Sequence, residues 1–128
     1  MKKLKVALVL FRDEEGNVLL NHRYDHQQAV EDVWEIIGGG IEDNEQPIDA
    51  IKREIKEELG YKIDEEKDDL KFVEKFDDVH IFKAIFPGIE NFFGSDEIKV
   101  SDLKLFTINE ALKLNLLPIA RKILDTLR

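Results

Sequence analysis

Apolar residues recur along this chain at two periods, and the change from one to the other divides it into elements. Lys5 to Phe11 is dense in valine and leucine and predicts a strand. Asp13-Glu14-Glu15-Gly16-Asn17 interrupts it with turn-forming residues, and Val18 to Asn21 resumes the apolar run, which predicts a β-hairpin. Tyr24 to Glu31 is polar and predicts a loop. Val33 to Ile37 is a short strand-like run that enters Gly38-Gly39-Gly40. Three consecutive glycines read as a loop whose backbone needs unusual dihedrals or a very close neighbour.

From Pro47 the period becomes helical. Proline suits the first helical position, Asp49 suits the positive end of the helix dipole, and Gly60 suits the residue just past the end, so a helix is predicted from Pro47 to Leu59. Its stripe Ile48, Ile51, Ile55 and Leu59 is expected to face the core. Tyr61 to Ile63 reads as a further strand and Asp64 to Asp69 as a solvated charged turn. Leu70 to Phe76 and Val79 to Phe86 read as two strands about an Asp77-Asp78 turn, Pro87 to Ser95 as a loop with Phe92 and Phe93, and Ile98 to Phe106 as partly strand. Thr107-Ile108-Asn109-Glu110 fits a capping box ahead of a short helix. Pro118 opens a last helix with the apolar stripe Ile119, Ile123, Leu124 and Leu127. Strands, one helix, strands, then helices imply a mixed sheet with helices on its faces.

At 128 residues the chain is expected to form one domain, 1–128, with no repeat, linker or low-complexity tract. No apolar run approaches a membrane span, and the segment after Met1-Lys2-Lys3 alternates instead of forming a signal-peptide core, so no membrane partner and a cytoplasmic location are expected. The absence of cysteine excludes disulfides, thiolate metal sites and cysteine nucleophiles. A net charge of −9 argues against a long nucleic acid as partner, since no basic stripe is present to neutralise its phosphates. A small phosphate compound remains compatible, provided a cation accompanies it or waits at a carboxylate cluster.

The helix carries such a cluster. Glu54, Glu57 and Glu58 stand at i, i+3 and i+4, next to one another on the helix surface, with Ala50 on the same side. Each like-charge pair costs about 0.2–0.5 kcal/mol in an isolated helix, and a cation held among them would reverse that sign. Carboxylate oxygens are hard ligands suited to Mg2+ or Mn2+, with Ca2+ as a candidate inhibitor. Arg53, four residues before Glu57, is placed to orient it. Taken alone, a helix this rich in glutamate and lysine is more often an ordinary solvated face.

The residues around the cluster change that balance. Gly39, Glu45, Arg53-Glu54-Ile55, Glu57-Glu58, Gly60 and Tyr61 resemble the Nudix box: Gly, five residues, Glu, seven residues, Arg-Glu, an aliphatic residue, any residue, Glu-Glu, any residue, Gly and an aliphatic residue. Seven fixed identities arise at a given start on the order of once in 10^8 at average residue frequencies. Tyr61 departs from the aliphatic end of the box, and Ile37 stands where many members carry proline. Trp34-Glu35, Leu19-Leu20 with Arg23, and Leu105 to Ala111 extend the resemblance, and Leu116 to Leu124 resembles MutT-like members.

The resemblance implies a three-layer α/β/α sandwich with a mixed sheet, and Mg2+-dependent hydrolysis of a nucleoside diphosphate linked to another group. It implies metal ligation by Glu57 and Glu58, with Glu54 a ligand or the base that activates water, and a backbone carbonyl from Gly38 or Gly39. It makes Arg53 the residue that orients the glutamates and Glu45 a brace for the glycine segment. Glu97 is a second candidate base, with a solvated loop acid as the alternative. Arg23, Trp34, Gly38, Gly40 and His80 are candidates for substrate contact, with His22, His26 and Lys83 as further phosphate candidates and Phe92 and Phe93 as further stacking candidates. A nucleoside triphosphate, ordinary or oxidised, is the expected substrate; ADP-ribose, another sugar nucleotide or a dinucleoside polyphosphate is the alternative. A non-catalytic nucleotide-binding module would be expected to lose a box glutamate, and none is lost. An isoprenoid diphosphate isomerase on this fold usually needs a cysteine. A homodimer is expected only by family habit.

Overall fold

The strand β1 (Val6–Arg12) has neighbours on both edges and both faces. Ala7 to Phe11 is buried, with Ala7, Val9 and Phe11 in one cluster and Leu8 and Leu10 in another. Burial on both faces explains why this strand reads as a continuous apolar run rather than an alternating one. The computed structural model describes residues 5–25 and 30–127, with backbone alone at 24, 25, 30 and 31.

One edge of β1 runs parallel to β6 (Val79–Ile85), and antiparallel β5 (Lys71–Phe76) completes that side. The other edge is shared. Val6 to Val9 pair antiparallel with β4 (Ile37–Gly40), and only Arg12 pairs with Val18, the first residue of β2 (Val18–Asp25). The expected hairpin therefore splays at once. β2 leaves β1 to pair with β3 (Val30–Glu35) on one edge and β7 (Leu103–Phe106) on the other. The result is a seven-strand mixed sheet that forks, with β4, β1, β6 and β5 in one branch and β3, β2 and β7 in the other.

Helix α1 (Pro47–Leu59) lies on one face, where Ile51, Ile55 and Leu59 are fully buried among Val9, Phe11, Leu19 and Ile37. Each such side chain stabilises the fold by about 1.5–3 kcal/mol on burial. The opposite face is covered by α2 (Ile108–Ala111) and α3 (Pro118–Thr126), through Ala111, Ala120, Ile123 and Leu124. These are the three layers expected. Among the described residues no helix is long and apolar enough to cross a membrane.

Several expectations need correction. The three glycines form a strand, not a loop, with Gly40, Gly39 and Gly38 opposite Val6, Ala7 and Leu8. Gly38 has φ of 149°, and a Cβ there would lie 2.1 Å from the Ala7 carbonyl oxygen, so glycine is required by both dihedral and space. The polar stretch expected as a loop carries strand at both ends, β2 to Asp25 and β3 from Val30. Tyr61 to Ile63 is not strand. The run follows a helix end at Gly60 (φ 66°, ψ 20°) and pairs with no strand among the described residues. The turn from Asp64 to Asp69 is not wholly solvated: Asp68 is buried and accepts hydrogen bonds from the Tyr61 hydroxyl at 2.7 Å and the Asp64 N–H at 2.9 Å. Between Ile98 and Phe106 a short 3-10 turn (Val100–Asp102) precedes β7. The capping box is formed at both bonds, with Glu110 N–H donating to Thr107 Oγ1 at 3.1 Å and Thr107 N–H to Glu110 Oε1 at 2.9 Å.

Gly38→Ala is expected to destabilise the fold by about 3 kcal/mol or more, because the backbone must move to admit a methyl group at a dihedral that L-residues avoid. Urea denaturation monitored by circular dichroism checks this, and a loss under about 1 kcal/mol would contradict the account of β4.

Candidate functional site

The site begins where β4 meets α1. Gly39 leaves so little room that a Cβ there would stand 2.6 Å from the Glu54 carboxyl carbon, so the bare strand is what admits that carboxylate. Arg53 joins strand to helix. Its Nε donates to Glu45 Oε2 and its Nη2 to Glu45 Oε1, both at 2.9 Å, a two-pronged pair. Nη2 also donates to the Gly40 carbonyl at 2.9 Å, and Nη1 reaches Glu54 Oε1 at 3.0 Å and Glu57 Oε2 at 3.3 Å. Glu45 in turn accepts from the Glu42 N–H at 3.0 Å. The expected contact to Glu57 is present, and the tighter ones go to Glu45 and Glu54.

The three helix carboxylates occupy different environments. The Glu57 side chain is 59% exposed and that of Glu54 14%. Glu58 is buried, and its Oε1 has no hydrogen-bond partner. Loss of solvent, together with a hydrogen bond to Glu54 and the charges of Glu54, Glu35 and Glu97, raises the Glu58 carboxyl to about 9. Glu45 goes the other way: hydrogen bonds from Arg53 and the Glu42 N–H lower it to about 2.

A cleft of about 660 Å³ opens beside these groups, lined from both branches of the sheet. β2 and β3 contribute Asn21, His22, Arg23 and Glu35; β4 contributes Gly38; α1 contributes Glu58; the segment before β7 contributes Asp96, Glu97, Ile98, Lys99 and Asp102. Of the residues singled out from sequence, the cleft therefore gathers His22, Arg23, Gly38, Glu58 and Glu97, with Glu54 hydrogen-bonded to Glu58 and Gly39 against the Glu54 carboxylate. Gly40 is engaged by Arg53 through its carbonyl. Two candidates lie elsewhere. Trp34 belongs to the α3 side, its ring 4.7 Å from that of His22 and edge-on to Phe106 at 5.0 Å. The even positions of β6 carry Phe82 and Ala84 into the cluster under α1, and His80 follows them, beside Phe72 at the β5 end of the sheet. Lys83 and Phe92 also lie outside the cleft lining, Phe92 within the core and Phe93 81% exposed. His26 lies outside the described residues.

Asn21, Glu35, Lys99 and Asp102 were not singled out for this cleft. Asn21 Nδ2 donates to Glu35 Oε1 at 3.1 Å, and Arg23 Nη1 stands 3.6 Å from Glu35 Oε2. The signal was a polar asparagine closing an apolar strand run, at an alternate position to Arg23 on β2.

Among the described residues no three carboxylate or imidazole groups, as placed, surround one point closely enough to hold a metal ion. Glu57 is turned to Arg53 and Glu58 leans on Glu54. The donor set nevertheless suits a hard divalent cation, and the unpartnered, buried Oε1 of Glu58 is an oxygen that such a cation would satisfy. The charge in the cleft points the same way, since Glu35, Asp96, Glu97 and Asp102 outnumber Arg23 and Lys99 even with Glu58 protonated.

The family model described as the NUDIX domain matches residues 1–127, and the chain belongs to that family. Members generally use divalent metal ions. A stretch of 59 residues is 39% identical to an 8-oxo-dGTP diphosphatase of Proteus vulgaris, covering 46% of this chain and 52% of that protein. A stretch of 52 residues is 38% identical to an RNA pyrophosphohydrolase of Halorhodospira halophila, covering 41% of this chain and 26% of that protein. These alignments thus span about half the length of the first relative and a quarter of the second. The solution structure of the E. coli ORF135 protein is similar throughout, at 25% identity, with 99% of this chain and 89% of that one covered and a TM-score of 0.69.

The opposed carboxyl shifts make a prediction for stability without added metal. Glu58 keeps its proton in the fold at pH values where the unfolded chain, near 4.5, has released it, so its contribution falls as pH rises from about 4.5 toward about 9. Glu45 is depressed, so its contribution is present above 4.5 and is lost as pH falls toward about 2. Glu58→Gln is expected to raise the melting temperature at pH 8 in EDTA by about 5 °C and to flatten the alkaline limb. Thermal melts of both proteins from pH 5 to 9 check this, and an unchanged limb would contradict it.

Proposed function

We propose that this chain hydrolyses a diphosphate linkage in a nucleotide-like molecule, a nucleoside triphosphate first among the candidates, with Mg2+ or Mn2+ as cofactor. The observation that carries this reading is the acidic cleft over a buried carboxylate with a free oxygen. A polyphosphate entering there meets net repulsion unless a divalent cation comes with it, and the box glutamates are the oxygens that would hold it. The names of the relatives, an 8-oxo-dGTP diphosphatase and an RNA pyrophosphohydrolase, support phosphorus-anhydride chemistry and differ in substrate.

Glu54, Glu57 and Glu58 would hold the metal, which when bound supplies charge neutralisation of the phosphates and a lower pKa for water. Glu57 would have to leave Arg53 to join them, and Arg53 would retain Glu45, Gly40 and Glu54. Glu58 must give up its proton to serve. Gly39 keeps the strand clear of the Glu54 carboxylate, and its carbonyl or that of Gly38 would be a further oxygen for the metal. Lys99 faces the cleft as the cation that would meet phosphate oxygens, and Arg23 faces it as a further substrate contact. Glu97, near enough to Glu58 to influence its charge, takes the proton from the attacking water; Glu54 is the second candidate for that step. ADP-ribose, other sugar nucleotides and dinucleoside polyphosphates belong in the same test.

Phosphate or pyrophosphate release is measured over a panel of these compounds with Mg2+ or Mn2+. Turnover of one class, abolished by EDTA and lowered about 10^2–10^4-fold in Glu57→Gln, is the expected result. Arg53→Lys, which loses the two-pronged contact, is expected to lower activity about 10–100-fold. Folded protein that turns over no compound would instead favour a non-catalytic binding module, and turnover that survives Glu57→Gln would remove the metal assignment.

A further inference from the structure

We infer that Asn21, Glu35 and Arg23 form a reading edge that selects guanine, an assignment that rests on the nucleotide reading above and deepens it. The three sit in order across two paired strands. Asn21 lies directly opposite Glu35, and Arg23 is two residues further along β2, so all three side chains emerge on the same face. Glu35 is the centre, with Asn21 Nδ2 at 3.1 Å from one carboxylate oxygen and Arg23 Nη1 at 3.6 Å from the other. All three line the cleft.

The orientation of the Asn21 amide follows from its neighbour. An ionised carboxylate only accepts, so the amide presents its NH₂ to Glu35 and its carbonyl oxygen away from it. That Oδ1 is buried and has no hydrogen-bond partner, in a residue only 4% exposed. Read across the strands, the edge offers an acceptor (Asn21 Oδ1), an acceptor (Glu35) and a donor (Arg23). Its complement is donor, donor, acceptor, which guanine presents as its 2-amino group, N1–H and O6. Adenine and cytosine would set a ring-nitrogen lone pair against Glu35, and uracil would set a carbonyl against Asn21. Hypoxanthine keeps N1–H and O6 but lacks the 2-amino group, so it isolates Asn21. Because water does not reach Oδ1, a slight outward turn of the amide toward a ligand N–H gains a hydrogen bond without giving up one to solvent, and the discrimination is correspondingly large. The edge leaves the imidazole side of a purine unread, so it does not separate oxidised from ordinary guanine.

Calorimetric titration of the whole protein with GMP, IMP and AMP in the presence of Mg2+ tests this without turnover. GMP is expected to bind tighter than IMP on the order of tenfold, and IMP tighter than AMP on the order of tenfold again. Asn21→Ala, or Asn21→Ser if the first does not fold, is expected to bring GMP to the affinity of IMP and leave IMP unchanged. A residue that merely braces Glu35 would weaken both alike, and that outcome overturns the assignment, as does equal binding of GMP and IMP by the unaltered protein. Selection of GMP by a protein that hydrolyses no diphosphate would remove the catalytic reading alone; hydrolysis without a guanine preference would remove this one alone.

Discussion

Arg53 is the joint between the strand and the helix on which the cleft's chemistry is carried. Its guanidinium holds Glu45 through two nitrogens, the Gly40 carbonyl through one of them, and Glu54 and Glu57 through the third. A lysine could neutralise one of these groups, but it has no fork with which to meet several at fixed angles. Glu45 lies in the turn between strand and helix and is itself held by the Glu42 N–H. Strand, turn and helix are therefore fixed to one planar cation. The side chain is 23% exposed, so these pairs are partly shielded and worth more than surface ion pairs.

What this joint makes tolerable is a concentration of like charge. Glu54 and Glu58 are pressed together on the inner side of α1, and Glu35 and Glu97 face them across the cleft. Removing Glu58 from water without a cationic partner forces the proton to stay. Arg53 cannot relieve this, because its contacts go to Glu45, Gly40, Glu54 and Glu57. The helix itself tolerates the strain through Ile51, Ile55 and Leu59, which anchor the turns on either side of Glu54 and Glu58 in the core. Packing thus holds in place a group of carboxylates that electrostatics alone would disperse. Function commonly accepts this trade between local instability and a prepared site.

Helix α1 was legible to the residue, because Pro47, the isoleucine stripe and Gly60 are all local signals. The capping box at Thr107 was equally legible, and the paired strands about Asp77-Asp78 were legible to within one residue at their outer ends. The glycines were misread as a loop because their reason lies elsewhere: Ala7 and Leu8 on one side and Glu54 on the other exclude any side chain, and sequence does not reveal which neighbour presses on a glycine. The Tyr61 to Ile63 run has strand composition but no partner, and pairing is a property of the fold. Asn21 and Glu35 stand fourteen positions apart and become one unit only because β2 turns away from β1 to pair with β3. Trp34 and His80 looked like base-stacking residues by type; alternation along β3 turns Trp34 to the α3 side, and His80 lies beside Phe72 at the β5 end of the sheet, away from the cleft.

The forked sheet gives these findings a common cause. β1 has one edge free for β4 and β2 together, and neither can occupy it fully. The branch containing β4 lies under α1 and carries the carboxylates; the branch containing β2 and β3 carries Asn21, Arg23 and Glu35. A ligand in the cleft touches both, yet the two sets of side chains share few covalent neighbours. The helix side is constrained by Arg53, by the glycine strand and by the core beneath Ile55. The β2 and β3 side is constrained chiefly by cross-strand pairing, which fixes where a side chain points and leaves open what it is. Residues at positions 21, 23 and 35 are therefore free to differ without disturbing the anchoring of Glu54, Glu57 and Glu58. Selectivity can then vary while the acidic helix and its strand stay the same, which is the division of labour expected of a fold that serves many substrates.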